Sequence, residues 1–197
     1  MKKNSYHHGN LKEAIIEEAI RLLKLQDNTD LSFRLISRNI GVVSSAPYNH
    51  FKDKEHLLIE IISIGEKKLV NAIVNEKKKS NIPTEKLLLA AKSYIKFSKN
   101  EKALFNLMFN NSNKDLLYLI DKIVLQFEEI ISEKFKSGKR VKLTEKGSAI
   151  TAWSMIHGLV SILNNYDDNL IESVLNINLE NTFKEMTAIW GKGVTVK

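Results

Sequence analysis

Apolar side chains return every three or four positions along most of this chain, the period of an amphipathic helix. Leu11, Ile15, Ala19 and Leu22 form one stripe opposite Glu13, Glu17, Arg21 and Lys24, which predicts a helix from about Asn10 to Leu25. The polar cluster Gln26 to Asp30 predicts a loop. Ser32 then stands at a helix start, with Phe33, Ile36 and Ile40 on one face. Gly41 ends this short helix, because glycine takes a left-handed cap without strain. Val42 and Val43 cross the turn, and Ser44 or Ser45 is placed to cap a second, very short helix. Pro47 falls in its first turn, where a missing N–H has no intrahelical partner to lose. Asp53 opens a long helix whose pattern runs through Leu58, Ile61, Ile62, Leu69 and Ile73 to Lys77, Lys78 and Lys79, lysines that suit a helix C-terminus.

The sequence Asn81-Ile82-Pro83-Thr84 marks the clearest boundary, with Thr84 expected to cap the next helix. Helical patterns follow near 84–99, 101–110, 115–136, 144–166 and 170–190. Breaks fall at Asn110 to Asn113, Lys136 to Lys139 and Asp167 to Asn169, and the tail after Gly191 is expected to fray. Neither an internal repeat nor a strand-length alternation is visible, so the fold class is all-α.

Composition narrows the function classes. Without cysteine there is no disulfide framework, thiolate metal site or cysteine nucleophile, which fits a reducing cytoplasm. His157 is the one histidine beyond residue 58, and no Gly-rich phosphate loop, metal-ligand spacing or nucleophile elbow occurs. Asp167-Asp168 reads as a turn. An enzyme is not expected, and no cofactor. The N-terminus lacks the apolar stretch of a signal peptide. Gly147 to Tyr166 is uncharged and long enough to span a bilayer, yet Ser148, Thr151, Ser154, His157, Ser161, Asn164 and Asn165 spread polar groups around it. A buried helix and no membrane partner is the reading. The net charge of +7 suggests an anionic partner, but residues 1–60 hold nine basic against eight acidic side chains, and residues 61–140 sixteen against nine. Local charge says more: Lys2, Lys3 and Lys12 cluster at the start, and Arg34, Arg38, Lys52 and Lys54 surround the second short helix with Asp53 opposing.

Two short helices about a Gly turn are a helix-turn-helix, whose second helix enters the DNA major groove. Tyr6-His7-His8-Gly9-Asn10-Leu11, Leu31-Ser32-Phe33-Arg34, Gly41-Val42 and the run Ala46 to Glu55 carry a closer likeness. Residues Tyr6 to Leu58 resemble the N-terminal domain of the TetR family of bacterial transcriptional regulators. One departure is Val43, where the family usually has a small hydroxyl residue opening the recognition helix. The resemblance implies that Tyr48, His50 and Lys54 contact phosphates, that Ser32 and Arg34 meet the backbone at the first helix start, and that Ser44, Ser45 and Asn49 read bases. Phe51 reads as a core wedge. His7 and His8 are poor joint metal ligands and fit the family's N-terminal arm.

Further on, Ala103 to Phe109 and Trp153-Ser154-Met155-Ile156-His157-Gly158 resemble the C-terminal domain of the TetR subgroup named for Trp-x-x-x-His-Gly. That likeness implies a dimerisation and effector domain, 59–197, behind a DNA-binding domain, 1–58. Phe105, Met108, Phe109, Trp153 and His157 are then expected at an effector, although Trp153 and His157, one turn apart, equally suit a packed core. The expected function is a homodimeric repressor that binds an operator in double-stranded DNA. An unidentified small molecule would release it, through the long helix from Asp53 to Lys79. The alternative is a DNA-binding protein whose C-terminal domain recruits a protein partner.

Overall fold

The computed structural model describes residues 10–25, 31–110, 114–136, 139–140, 143–193 and 195–196. The expected N-terminal arm (Tyr6 to Gly9), Lys2, Lys3, the 26–30 loop, and the expected breaks at 111–113 and 137–138 lie outside them. Among the described residues the elements are α1 (Leu11–Leu25), α2 (Phe33–Ile40), a 3-10 turn (Ala46–Asn49), α3 (Lys54–Lys77), α4 (Pro83–Asn100), α5 (Lys102–Phe109), α6 (Lys114–Lys136), β1 (Lys139–Arg140), α7 (Glu145–Asn165), α8 (Asp168–Leu175), α9 (Leu179–Gly193) and β2 (Thr195–Val196). The fold is all-α, as expected. No helix among the described residues is long and apolar enough to cross a membrane.

Two compact units divide the chain. The first holds the described residues up to Glu66 together with Glu101–Asn110, so α5 belongs with α1 and α2, and the boundary expected after Leu58 lies inside α3. Ile15, Ala19, Ile36, Phe51, Leu57 and Ile61 are buried at its centre. Gly65 lets α5 lie close to α3: a Cβ there would meet Met108 Sδ at 2.5 Å and Leu104 at 3.0 Å.

The second unit contains residues 67–100 and those beyond 110. Leu87, Tyr94, Phe127, Ile131, Ala149 and Val160 are buried within it. The Trp190 indole donates to the Ser148 carbonyl at 3.2 Å and lies under the Lys134 ammonium, 5.6 Å from the ring centroid. At the end of α3, Lys77 donates to Gln126 at 2.9 Å and pairs with Glu129.

Three expectations at helix ends are corrected. Thr84 does not cap α4; Pro83 already occupies its first position, and the Ser80 hydroxyl accepts the Ile82 N–H at 3.0 Å ahead of it. The single helix expected over 170–190 is two. Asn176 takes the left-handed conformation (φ 51°) to end α8, and the Asn178 side chain accepts the Asn181 N–H at 3.0 Å to start α9. The helix expected to end near 190 continues to Gly193, and Thr195–Val196 pairs antiparallel with Lys139–Arg140, two strands the pattern did not predict.

Candidate nucleic-acid interface

Local chemistry at both ends of α2 sets up the turn. Ser32, extended at φ −129° and ψ 145°, accepts the Leu35 N–H on Oγ at 3.3 Å and caps the helix. At the far end Gly41 has φ 77°, a conformation that costs other residues about 1–2 kcal/mol. Its N–H and that of Val42, the latter at 3.0 Å, both reach the Ser37 carbonyl, and the chain reverses. Asn39 Nδ2 donates to Glu18 at 2.6 Å, tying α2 to α1.

The recognition element is shorter than a turn of α-helix followed by another. Val43 O accepts from Ala46 N at 3.0 Å and Ser45 O from Tyr48 N at 3.1 Å, the i to i+3 pattern of a 3-10 turn. The serine cap expected here is absent: Ser45 has a helical backbone and no side-chain capping bond. Backbone carbonyls take the N–H groups of Ala46 and Tyr48, and Ser44 and Ser45 are exposed. Pro47 is buried in the turn, and its carbonyl accepts from His50 N at 3.0 Å and Phe51 N at 2.9 Å. With proline facing inward, Tyr48, Asn49 and His50 face out.

Aromatic packing fixes the height of that surface. Phe33 meets the Tyr48 ring edge-on at 4.9 Å and 90°, while Tyr48 stays 61% exposed. Phe51 is buried as the expected wedge, 6.4 Å from Phe33, with the Lys12 ammonium 5.8 Å above its ring. Lys54 is the first residue of α3. Its helix start is held twice: Asp53 Oδ1 accepts from His56 N at 2.8 Å, and His56 Nδ1 accepts from Lys52 N at 3.2 Å. The pattern identified Asp53 as the helix start but passed over His56. Between α2 and the turn lies a cleft of about 370 Å³ lined by Ser32, Arg34, Arg38, Val42 and Ser44, among others. The N-terminal N–H groups of a helix favour an anion, and of the two arginines lining the cleft Arg34 stands in the first turn of α2 and Arg38 in its last.

In the second unit Trp153 and His157 stack, ring centroids 5.0 Å apart at 21°. Tyr94 of α4 joins them, its hydroxyl 2.8 Å from His157 Nδ1. Tyr94 sat unnoticed in the sequence because its stripe with Leu87 and Ala91 reads as core; its hydroxyl gains a role only once α7 packs against α4. Burial pushes the Tyr94 phenol far above its ordinary value and holds the His157 imidazole below its own. The Trp153 indole N–H is buried without a hydrogen bond of good geometry, yet lies near enough to Tyr94 to oppose part of that rise. Phe105, Met108 and Phe109 lie together on α5 in the first unit, the two phenyl rings 4.5 Å apart. Among the described residues no group of three His, Cys, Asp or Glu side chains could hold a metal.

Residues 15–61 match the sequence model of bacterial regulatory proteins of the tetR family. No curated protein matches the sequence. Among solved structures, a protein with unknown function from Rhodococcus sp. RHA1 is similar with a TM-score of 0.82 and 19% identity, over 98% of this chain and 100% of its own. A bacterial regulatory protein in the tetR family from Rhodococcus RHA1 gives a TM-score of 0.69 at 16% identity, over 96% and 99%. The fatty acid degradation regulator FadR from Bacillus halodurans gives 0.68 at 17% identity, over 95% and 98%. The helix-turn-helix segment thus matches the sequence model of the tetR family, in a chain whose all-α fold is similar to that of solved regulators of that family.

Proposed function

We propose that the protein is a homodimeric TetR-type transcriptional repressor, released from its operator by a small molecule. The observation that carries the DNA-binding half is the outward row Ser44, Ser45, Tyr48, Asn49 and His50, held rigid by Pro47, Phe33 and Phe51 beneath it. Tyr48, His50 and Lys54 clamp phosphates, and Ser32 and Arg34 hold another at the start of α2. Ser44, Ser45 and Asn49 face the bases; Asn can read adenine through two hydrogen bonds, while serine discriminates little.

A dimer follows from geometry and from exposed apolar surface. One such head spans few bases, and two must lie about 34 Å apart to meet successive major grooves. Ile150 and Ile162 on α7, Leu170 and Val174 on α8, and Ile189 on α9 are all exposed in the single chain, which supports burial against a second copy. The assignment of Phe105, Met108, Phe109, Trp153 and His157 to effector binding, and the likeness of the C-terminal half to the Trp-x-x-x-His-Gly subgroup, belong to the same proposal. The Tyr94–His157 pair beside Trp153 supports it, as a few polar groups next to aromatic rings suit an apolar or amphipathic ligand.

Anisotropy titration of labelled duplexes tests the DNA-binding half. Lys54→Ala should weaken binding to selected and random sequences alike, and lower the slope of log affinity against log salt by roughly one. An unchanged affinity and slope in both Lys54→Ala and Tyr48→Ala would refute the clamp.

A further inference from the structure

We propose that Val43 reads a thymine methyl group in the operator and is a specificity-determining residue, an inference that rests on the DNA-binding reading above. Its side chain is 71% exposed, while Phe33, Ile36 and Phe51 fill the core beneath. Its backbone is fixed from both sides. The Val43 carbonyl accepts the Ala46 N–H at 3.0 Å, and the preceding Val42 N–H is held by Ser37 O at 3.0 Å. Val43 therefore opens the recognition turn, at the end from which helix-turn-helix proteins reach base edges.

Nothing in the fold of the turn calls for valine there. The turn's capping position is Ser45, two residues further on, so residue 43 has no capping duty. An exposed isopropyl group gains nothing from water. What it can gain is an apolar contact, and the C5-methyl of thymine is the apolar group on the floor of the major groove. The neighbouring exposed hydroxyls of Ser44 and Ser45 separate bases poorly, so a methyl contact adds discrimination where the turn is otherwise weak. Burying about one methyl-sized group favours thymine by about fourfold per half-site.

The test uses the full-length protein. In vitro selection from a random duplex library defines a preferred site, and each thymine of that site is then replaced by deoxyuridine, which removes the C5-methyl alone. One thymine per half-site should lose about fourfold in affinity with the wild type. Val43→Ser, which removes the methyls, should abolish that loss while keeping thermal stability and random-duplex binding. Val43→Ala, which removes them without adding a polar group, should behave the same way toward deoxyuridine. Indifference of the wild type to every deoxyuridine, or equal sensitivity in both variants, overturns the role of Val43 and leaves DNA binding standing. A selection that enriches no sequence overturns sequence-specific reading, and this role with it.

Discussion

Gly65 is the position where one added methyl group should be felt most sharply. Its α-carbon faces α5 so closely that a Cβ would stand 2.5 Å from Met108 Sδ and 3.0 Å from two atoms of Leu104. Leu104 and Met108 are each 1% exposed, so neither has free space into which to swing. Overpacking of this kind costs about 1–3 kcal/mol. Against it stands the helix propensity of alanine over glycine, worth about 1 kcal/mol in the middle of α3. Gly65→Ala should therefore destabilise by up to about 2 kcal/mol, the difference between those terms. Met108→Ala removes the sulfur, and in that background the same Gly65→Ala change should become neutral or stabilising. The coupling between the two positions is then about 1–3 kcal/mol, well outside the additivity expected of independent sites. Urea unfolding followed by far-UV circular dichroism reports every helix, while tryptophan fluorescence reports the second unit, where both Trp153 and Trp190 lie. The expected shift belongs to the dichroism transition. Stabilisation by Gly65→Ala with Met108 intact, or an equal effect in both backgrounds, would refute the close-packing account.

Four further outcomes are expected. Tyr94→Phe, which deletes the partner of His157 Nδ1, should cost about 0.5–1.5 kcal/mol in urea unfolding, and a neutral result would show that this bond adds nothing. Because burial lowers the His157 pKa in the folded state, its contribution to stability is complete above the ordinary histidine range and is lost as pH falls through the folded value. The fall in stability between pH 7.5 and 5.5 should therefore be smaller in His157→Gln than in the wild type, and equal slopes would count against burial as the cause. Sedimentation at micromolar concentration should give twice the 22.5 kDa chain mass; a monomer with full operator affinity would sink the dimer. A bound effector should change operator affinity roughly 5–150-fold, and a ligand that raises thermal stability without altering DNA binding would disprove the switch.

Legibility in the sequence tracked how local the determining chemistry was. Ser32, Gly41, Pro47 and Phe51 each act within a few residues of their own position, and each does in the structure what its type and spacing predicted. The serine cap failed for a reason of the same scale: the carbonyls of Val43 and Ser45 take the Ala46 and Tyr48 N–H groups as a 3-10 turn, and Ser45 makes no capping bond. The break between α8 and α9 was hidden by continuity of pattern. Ile171, Leu175 and Leu179 recur at every fourth position, as one uninterrupted helix would have them, yet Leu175 is exposed and Asn176 turns left-handed without a glycine to announce it. Tyr94 and the close approach at Gly65 depend on which helices pack together, and a stripe of apolar residues on one helix does not name its partner.

The charge of the chain makes the same distinction in electrostatic form. Most of the basic excess lies between residues 61 and 140, where it invites a second nucleic-acid patch. In the folded second unit some of these lysines are paired: Lys77 with Glu129, Lys86 with Glu133 at 2.6 Å, and Lys99 with Asp168. A lysine bound to a carboxylate has its field largely cancelled and has little left to offer a phosphate. The DNA-binding head carries almost no net charge by count, yet among the described residues Arg34, Arg38, Lys52 and Lys54 take part in no ion pair. Four cations without a carboxylate partner among the described residues gather around one turn, where each is able to neutralise a DNA phosphate and release a counterion. The footprint of a DNA-binding surface in this chain is therefore a matter of which charges the fold leaves without a partner, a property that summing along the sequence averages away.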